Sequence, residues 1–154
     1  MKTTEFLIEL SESSNTDFGK KYFFDQGFEQ QVFSAVFGSS GSIFMDGFRL
    51  YFVNSHGESA HFTPNAYRAI GAPKSAKIIE RASRVLSPNP IPEDRLARKI
   101  LVDALSESSN SVLEELGQEF YSTSEIIDDL LFDYVARHTS IFGAVPENVE
   151  RQAT

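Results

Sequence analysis

Glu58-x-x-His61 and His56-Gly57-Glu58 overlap in one short segment, and together they hold two of the three histidines in the chain; the third is His138. The first spacing is used twice in di-iron helical bundles, where both side chains project from one helical face. A single copy is half of such a site, and the sequence holds no second pair. The second spacing matches the opening of a zinc deaminase signature, whose remaining ligands are cysteines, and the chain has no cysteine. Thiolate metal sites, thiol nucleophiles and disulfides are excluded with it. Serines are plentiful, yet no Gly-x-Ser-x-Gly nucleophile turn occurs. An enzyme on this chain would have to gather His56, Glu58 and His61 around one pocket, and no metal or cofactor is expected. Gly38-Ser39-Ser40-Gly41-Ser42 could offer backbone amides to an anion, but it lacks the phosphate-loop lysine and reads as a turn between helices. The 14 phenylalanines lack interleaved basic residues and read as core, not as a base-stacking platform.

Charge is the stronger signal. The formal net charge is −8. Residues 1–100 carry 12 Lys/Arg against 11 Asp/Glu, whereas residues 101–154 carry 2 against 11. From Asp103 to Asp133 there are nine carboxylates and no basic residue, which opposes direct binding of nucleic acid through that surface and attracts cationic partners instead. On a helical wheel Glu125, Asp128, Asp129 and Asp133 fall within an arc of about 140°, opposite Ile127, Leu130, Leu131, Tyr134 and Val135. Like charges three and four residues apart cost a few tenths of a kcal/mol per pair, about 0.2 to 0.5, with no lysine to relieve them. Glu114, Glu115 and Glu119 extend the acidic face. Their spacing and sign resemble a row of backbone phosphates, and Phe132, between the acids on the wheel, marks a possible contact with a partner or a second copy of the chain.

The elements that must position these residues are helical. Residues about 25 to 37 place Phe24, Phe28, Val32, Phe33, Val36 and Phe37 at three- and four-residue spacings and are predicted to stop at Gly38. A second helix is predicted over about Ser42 to Asn54, capped near Gly57. Thr63-Pro64 opens a helix that closes at Gly71, and Ala72-Pro73 starts the next, which runs to about Leu86 with Ala76, Ile79, Ala82, Ser83 and Leu86 inward. The proline-rich loop from Ser87 to Pro92 breaks the chain. Three more helices are predicted at about 92–106, 109–121 and 123–138, the last capped by Ser122 or Thr123. Residues 5–10 read equally as strand or helix. The expected architecture is an all-α single domain of six to seven helices: an N-terminal extension, 1–24, packing on a domain at 25–142, with a frayed tail at 143–154. Nothing in the sequence reads as a targeting segment or a membrane span, so a cytoplasmic protein is expected.

Met45-Asp46-Gly47-Phe48-Arg49-Leu50-Tyr51-Phe52-Val53-Asn54-Ser55-His56-Gly57 resembles the hallmark of a bacterial family with an Asn-Gly-Gly-Phe, Tyr-Phe, Asn-Ser, Gly progression, with Met45-Asp46 in place of the usual Asn-Gly. Ala66 to Ala72, followed by Ala76 to Ala82, is similar to its alanine-rich helix, Ile-Gly-Ala joint and next helix. The family is the DNA-mimic-protein-nineteen-like domain, and the resemblance covers about residues 25–142. It implies an all-helical fold in which Gly47, Phe48, Tyr51, Phe52, Asn54, Gly57 and Gly71 are structural. For the family's namesake it implies a homodimer whose acidic surface imitates duplex DNA and occupies a transcription factor's DNA-binding face. Two functions of one broad class follow as expectations. One is a DNA mimic presenting Glu114, Glu115, Glu119, Glu125, Asp128, Asp129 and Asp133 to a basic DNA-binding protein, and so acting in transcription regulation. The other is a regulatory or immunity-like protein that recognises its partner by shape and apolar contact.

Overall fold

Val32, Phe33 and Val36 are buried, and so are Ser39, Ser40 and Ile43 one and two turns further on. The helix begun at Phe28 therefore runs straight through the Gly38–Gly41 segment. It forms α2, Phe28–Val53, and breaks only at Gly47, whose φ of 80° and ψ of 173° suit glycine alone. The expected turn is thus displaced to Gly47. Small residues sit at 38 and 39 because neighbours approach closely there: a Cβ on Gly38 would collide with the His56 ring, and Ser39 Oγ lies 2.9 Å from the buried Tyr67 hydroxyl. Residues 38–42 are hydrogen-bonded within the helix, which removes the anion-loop reading as well as the turn.

The computed structural model describes residues 1–152. Around α2 it arranges α1 Thr3–Glu12, α3 Thr63–Ala69, α4 Pro73–Leu86, α5 Arg95–Asp103, α6 Glu107–Ser122, α7 Ile127–Ala136 and the short α8 Thr139–Phe142. The fold is all-α, with seven helices of seven residues or more among the described residues. Residues 5–10 are helical, as part of α1. Helices α3, α5, α6 and α7 all pack on α2, α4 packs on α3 and α6, and α1 packs on α7. Thr63 does not cap α3; its hydroxyl donates to the Ser59 carbonyl at 3.0 Å, and Pro64 occupies the first turn. Gly71, at φ 85°, closes α3 with Gly71 N–H donating to Arg68 O and Ala72 N–H to Tyr67 O. Asp94 and Ser106 cap α5 and α6 through the Ala97 and Ser109 amides. Helix α7 begins later than expected, with Ile126 preceding it and Ser122 ending α6.

Arg98 on α5 is 1% exposed. Its Nη1 donates to the carbonyls of Phe52 at 2.6 Å and Asn54 at 2.9 Å, at the C-terminal end of α2. A cation there satisfies open carbonyls and complements the helix dipole. Burial pulls its pKa down.

Both chain ends are tied to α7. Thr3 N–H donates to Glu150 O and Glu150 N–H to Met1 O, each at 2.9 Å. Gln152 N–H reaches Asp129 Oδ1 at 2.7 Å. Val145 and Val149 pack against the core. Up to Gln152 the segment expected as a frayed tail lies against the body through these bonds and contacts; residues 153–154 lie outside the described residues.

Candidate functional site

The structure separates the residues that chemistry would need. His56 is half-buried, stacked on Phe18 with ring centroids 6.0 Å apart, and burial lowers its pKa. His61 turns away and stacks on Phe24 at 5.5 Å. Glu58 shares only a small cavity of about 190 Å³ with His56, and His61 does not line it. His138 Nδ1 lies 2.7 Å from the Tyr134 carbonyl and donates to it. Among the described residues no three His, Asp or Glu side chains are grouped to hold a metal ion.

The seven acidic candidates fall into two groups. Those on α7 face the chain's own ends. Asp129 is buried and accepts from the Thr3 hydroxyl at 2.8 Å and from Gln152 N–H. Asp128 accepts from the Thr4 hydroxyl at 2.5 Å. Asp133 pairs with Arg151 at 2.6 Å. Phe132, expected as an exposed contact, is buried, edge-on to Phe6 at 5.4 Å, with the Arg151 guanidinium over its ring at 5.6 Å. α1 and the tail cover this face, and Phe132 is core. Glu125 lies before α7 and accepts from the Lys74 and Ser75 amides at 2.9 and 2.6 Å. It caps the N-terminus of α4, where a carboxylate is favoured.

Those on α6 face solvent. Glu114 and Glu115 are exposed and form no ion pair among the described residues, and the same holds for Glu107, a further acid in the first turn of α6 that is not among the seven. Glu119 is also exposed but pairs with Arg81 at 2.9 Å. The basic stretch from Arg68 to Lys99 is largely engaged inside the chain: Arg68 pairs with Glu80 and Lys99 with Asp103, while Arg95 and Arg98 serve backbone carbonyls.

The motif residues build the support beneath this surface. Phe48 packs edge-on to Phe120 of α6 at 6.0 Å. The buried Tyr51 hydroxyl meets Thr63 Oγ1 at 3.1 Å, and burial pushes its pKa up to about 12. Phe52 is fully buried. Asn54 donates to Ser42 Oγ at 2.6 Å and accepts the His56 N–H. Gly57 has no room for a Cβ, which would overlap the Arg98 guanidinium and the Tyr51 and Phe52 carbonyls.

Two grooves flank the α2 break. One, of about 570 Å³, lies between the break and α6, with Asp46, Arg49 and Glu114 on its walls. The other, of about 990 Å³, lies between α1, α2 and the α6–α7 connection. Phe44, Asp46 and Tyr121 line both, and the Phe44 and Tyr121 rings, 5.4 Å apart, form the ridge between them. Phe44, Met45 and Tyr121 are 45%, 84% and 69% exposed. Sequence reasoning placed the phenylalanines in the core and missed this ridge. The available signal was a second apolar position at Phe44-Met45, just ahead of a glycine break.

No curated protein and no solved structure matches the chain. A family model does match, over residues 28–138, the span from the start of α2 to the end of α7 that contains the break, the Tyr51–Arg98 support and the acidic α6. On that match the chain belongs to the DMP19-like protein family.

Proposed function

We propose that this chain is a non-catalytic, acidic protein-interaction domain that acts as a DNA mimic, occupying the DNA-binding face of a basic DNA-binding protein. The observation that carries the reading is the solvent-facing row on α6: Glu107, Glu114 and Glu115 are exposed and form no ion pair among the described residues. The family match supports it. Glu107 and Glu114 are two turns apart, a rise of about 10 Å, so the row presents charge along a line as a nucleic-acid strand does. Asp129 and Asp133, already held by the Thr3 hydroxyl, the Gln152 amide and Arg151, contribute background field and not direct contact.

The test is capture of binding proteins from a lysate of the source organism at low salt, with wild-type protein and E114Q/E115Q side by side. The expected result is a DNA-binding protein that elutes as salt rises, is released by duplex DNA, and is retained at least ten-fold less by the variant. Retention indifferent to salt and to both glutamates overturns the charge mechanism. It would favour recognition by shape, through the exposed Phe44, Met45 and Tyr121.

A further inference from the structure

Gly41 sits in the middle of α2, exposed, where a Cβ would meet nothing within 4 Å. Glycine is the poorest helix former after proline, so neither backbone geometry nor packing within the chain calls for it there. What it does is keep the floor of the larger groove low. The walls of that groove are apolar and open to water: Ile8, Phe44, Met45, Tyr121 and Ile126 all line it and are all exposed. Three carboxylates stand around them, Asp46, Glu125 and Asp128, and among the described residues no lysine or arginine lines the groove. Glu125 and Asp128 receive hydrogen bonds from amides and a hydroxyl, which orient them without cancelling their charge.

We infer that this groove is a docking cradle for a basic amphipathic segment of the protein partner, one that inserts an apolar side chain over Gly41 and sets lysine or arginine against Asp46, Glu125 and Asp128. The inference rests on the interaction-domain reading above and adds its anchor. Open apolar grooves of this kind take one face of a helix, with charged neighbours fixing its register. The lining carboxylates repel phosphate, so nucleic acid and anionic lipid do not fit. A second copy of this chain, itself at net charge −8, fits less well than a cationic segment.

The chain lacks tryptophan, so tryptophan emission from a bound peptide reports on the peptide alone. The probe is a fluorescein-labelled helical peptide of lysine and arginine with a single tryptophan anchor, against the same peptide with alanine at the anchor. Binding is followed by anisotropy, and the anchored peptide also by its emission maximum. The anchored peptide is expected to bind at least ten-fold more tightly, with a blue shift. G41L is expected to erase that advantage while melting no lower than wild type, and the surface change M45S to reduce it. Equal affinity for the two peptides, or an anchor advantage intact in G41L, overturns the cradle. If binding of the alanine peptide is still lost in E114Q/E115Q, the acidic reading survives that failure. Binding of neither peptide overturns both. Self-association of the wild type that G41L abolishes assigns the groove to a second copy and also overturns the proposal.

Discussion

Helices α6 and α7 carry carboxylates at similar density, and the fold treats them in opposite ways. On α6, one edge of the helix packs on α2 and α4 through Leu113, Leu116 and Phe120, and its acids are left in water. On α7, Leu131, Tyr134 and Val135 are buried on one side. The acidic side is covered as well, by α1 and the tail, with Thr3, Thr4, Arg151 and the Gln152 amide meeting Asp129, Asp128 and Asp133. A run of like charge is therefore not one kind of object. Where hydroxyls, amides and an arginine converge on it, it is a clamp for distant chain segments; where they do not, its charge stays in water.

Asp129→Ala breaks the comparison most forcefully. It removes a charged acceptor and leaves the Thr3 hydroxyl and the Gln152 amide without it, in a buried site. A loss of about 2 to 3 kcal/mol is expected, read as a lower midpoint in urea unfolding at unchanged slope. A change within about 0.5 kcal/mol would mean that the α7 acids are as dispensable to the fold as surface residues. Arg151→Ala comes next. The ion pair with Asp133 is about half exposed on the arginine side and the guanidinium also covers Phe132, so a cost below about 1 kcal/mol is expected. A double-mutant cycle with Asp133→Asn isolates the pair. Coupling near zero would mean that the ion pair adds nothing to the tail's attachment beyond its other bonds and contacts. E114Q/E115Q on α6 sharpens the contrast from the other side: stability within about 0.5 kcal/mol of wild type, with partner retention lost.

What the sequence made legible was local. Pro73–Leu86 has its expected bounds, because proline at its start and the Gly71 turn before it act within a few residues. The motif from Gly47-Phe48 through Tyr51-Phe52 and Asn54 to Gly57, with the Ile70-Gly71-Ala72 joint, carried the family. Two things were not legible, for different reasons. Glycine and serine at 38–42 serve either a turn or close packing, and the partner that decides, His56 against Gly38, lies 18 residues on. The helical wheel likewise orders residues around α7 but cannot say what covers each side. Asp129 meets Thr3 across 126 residues, and Phe132 meets Phe6 across a similar span. Of the seven acids chosen from charge alone, three on α6 face solvent as a partner site requires. The others have structural partners that only the three-dimensional fold supplies.

The smallest expected effect is a slope in pH, and it concerns His56, whose ring lines the larger groove beside Gly38. His56 is held against Phe18 and Gly38, and burial lowers its pKa below the unfolded value of about 6.5. Between the two values the unfolded chain binds the proton more readily than the folded one, so stability rises with pH there. Its contribution is complete above about pH 6.5 and is lost as pH falls towards the folded value. Urea midpoints at pH 7 and pH 5 should thus show a drop in wild type that is smaller in H56F, whose ring carries no proton at either pH. The α7 clamp does not depend on that ring, so D129A should keep the wild-type drop on top of its constant loss. An equal pH dependence in wild type and H56F would mean that the imidazole charges in place, with water reaching it through the groove.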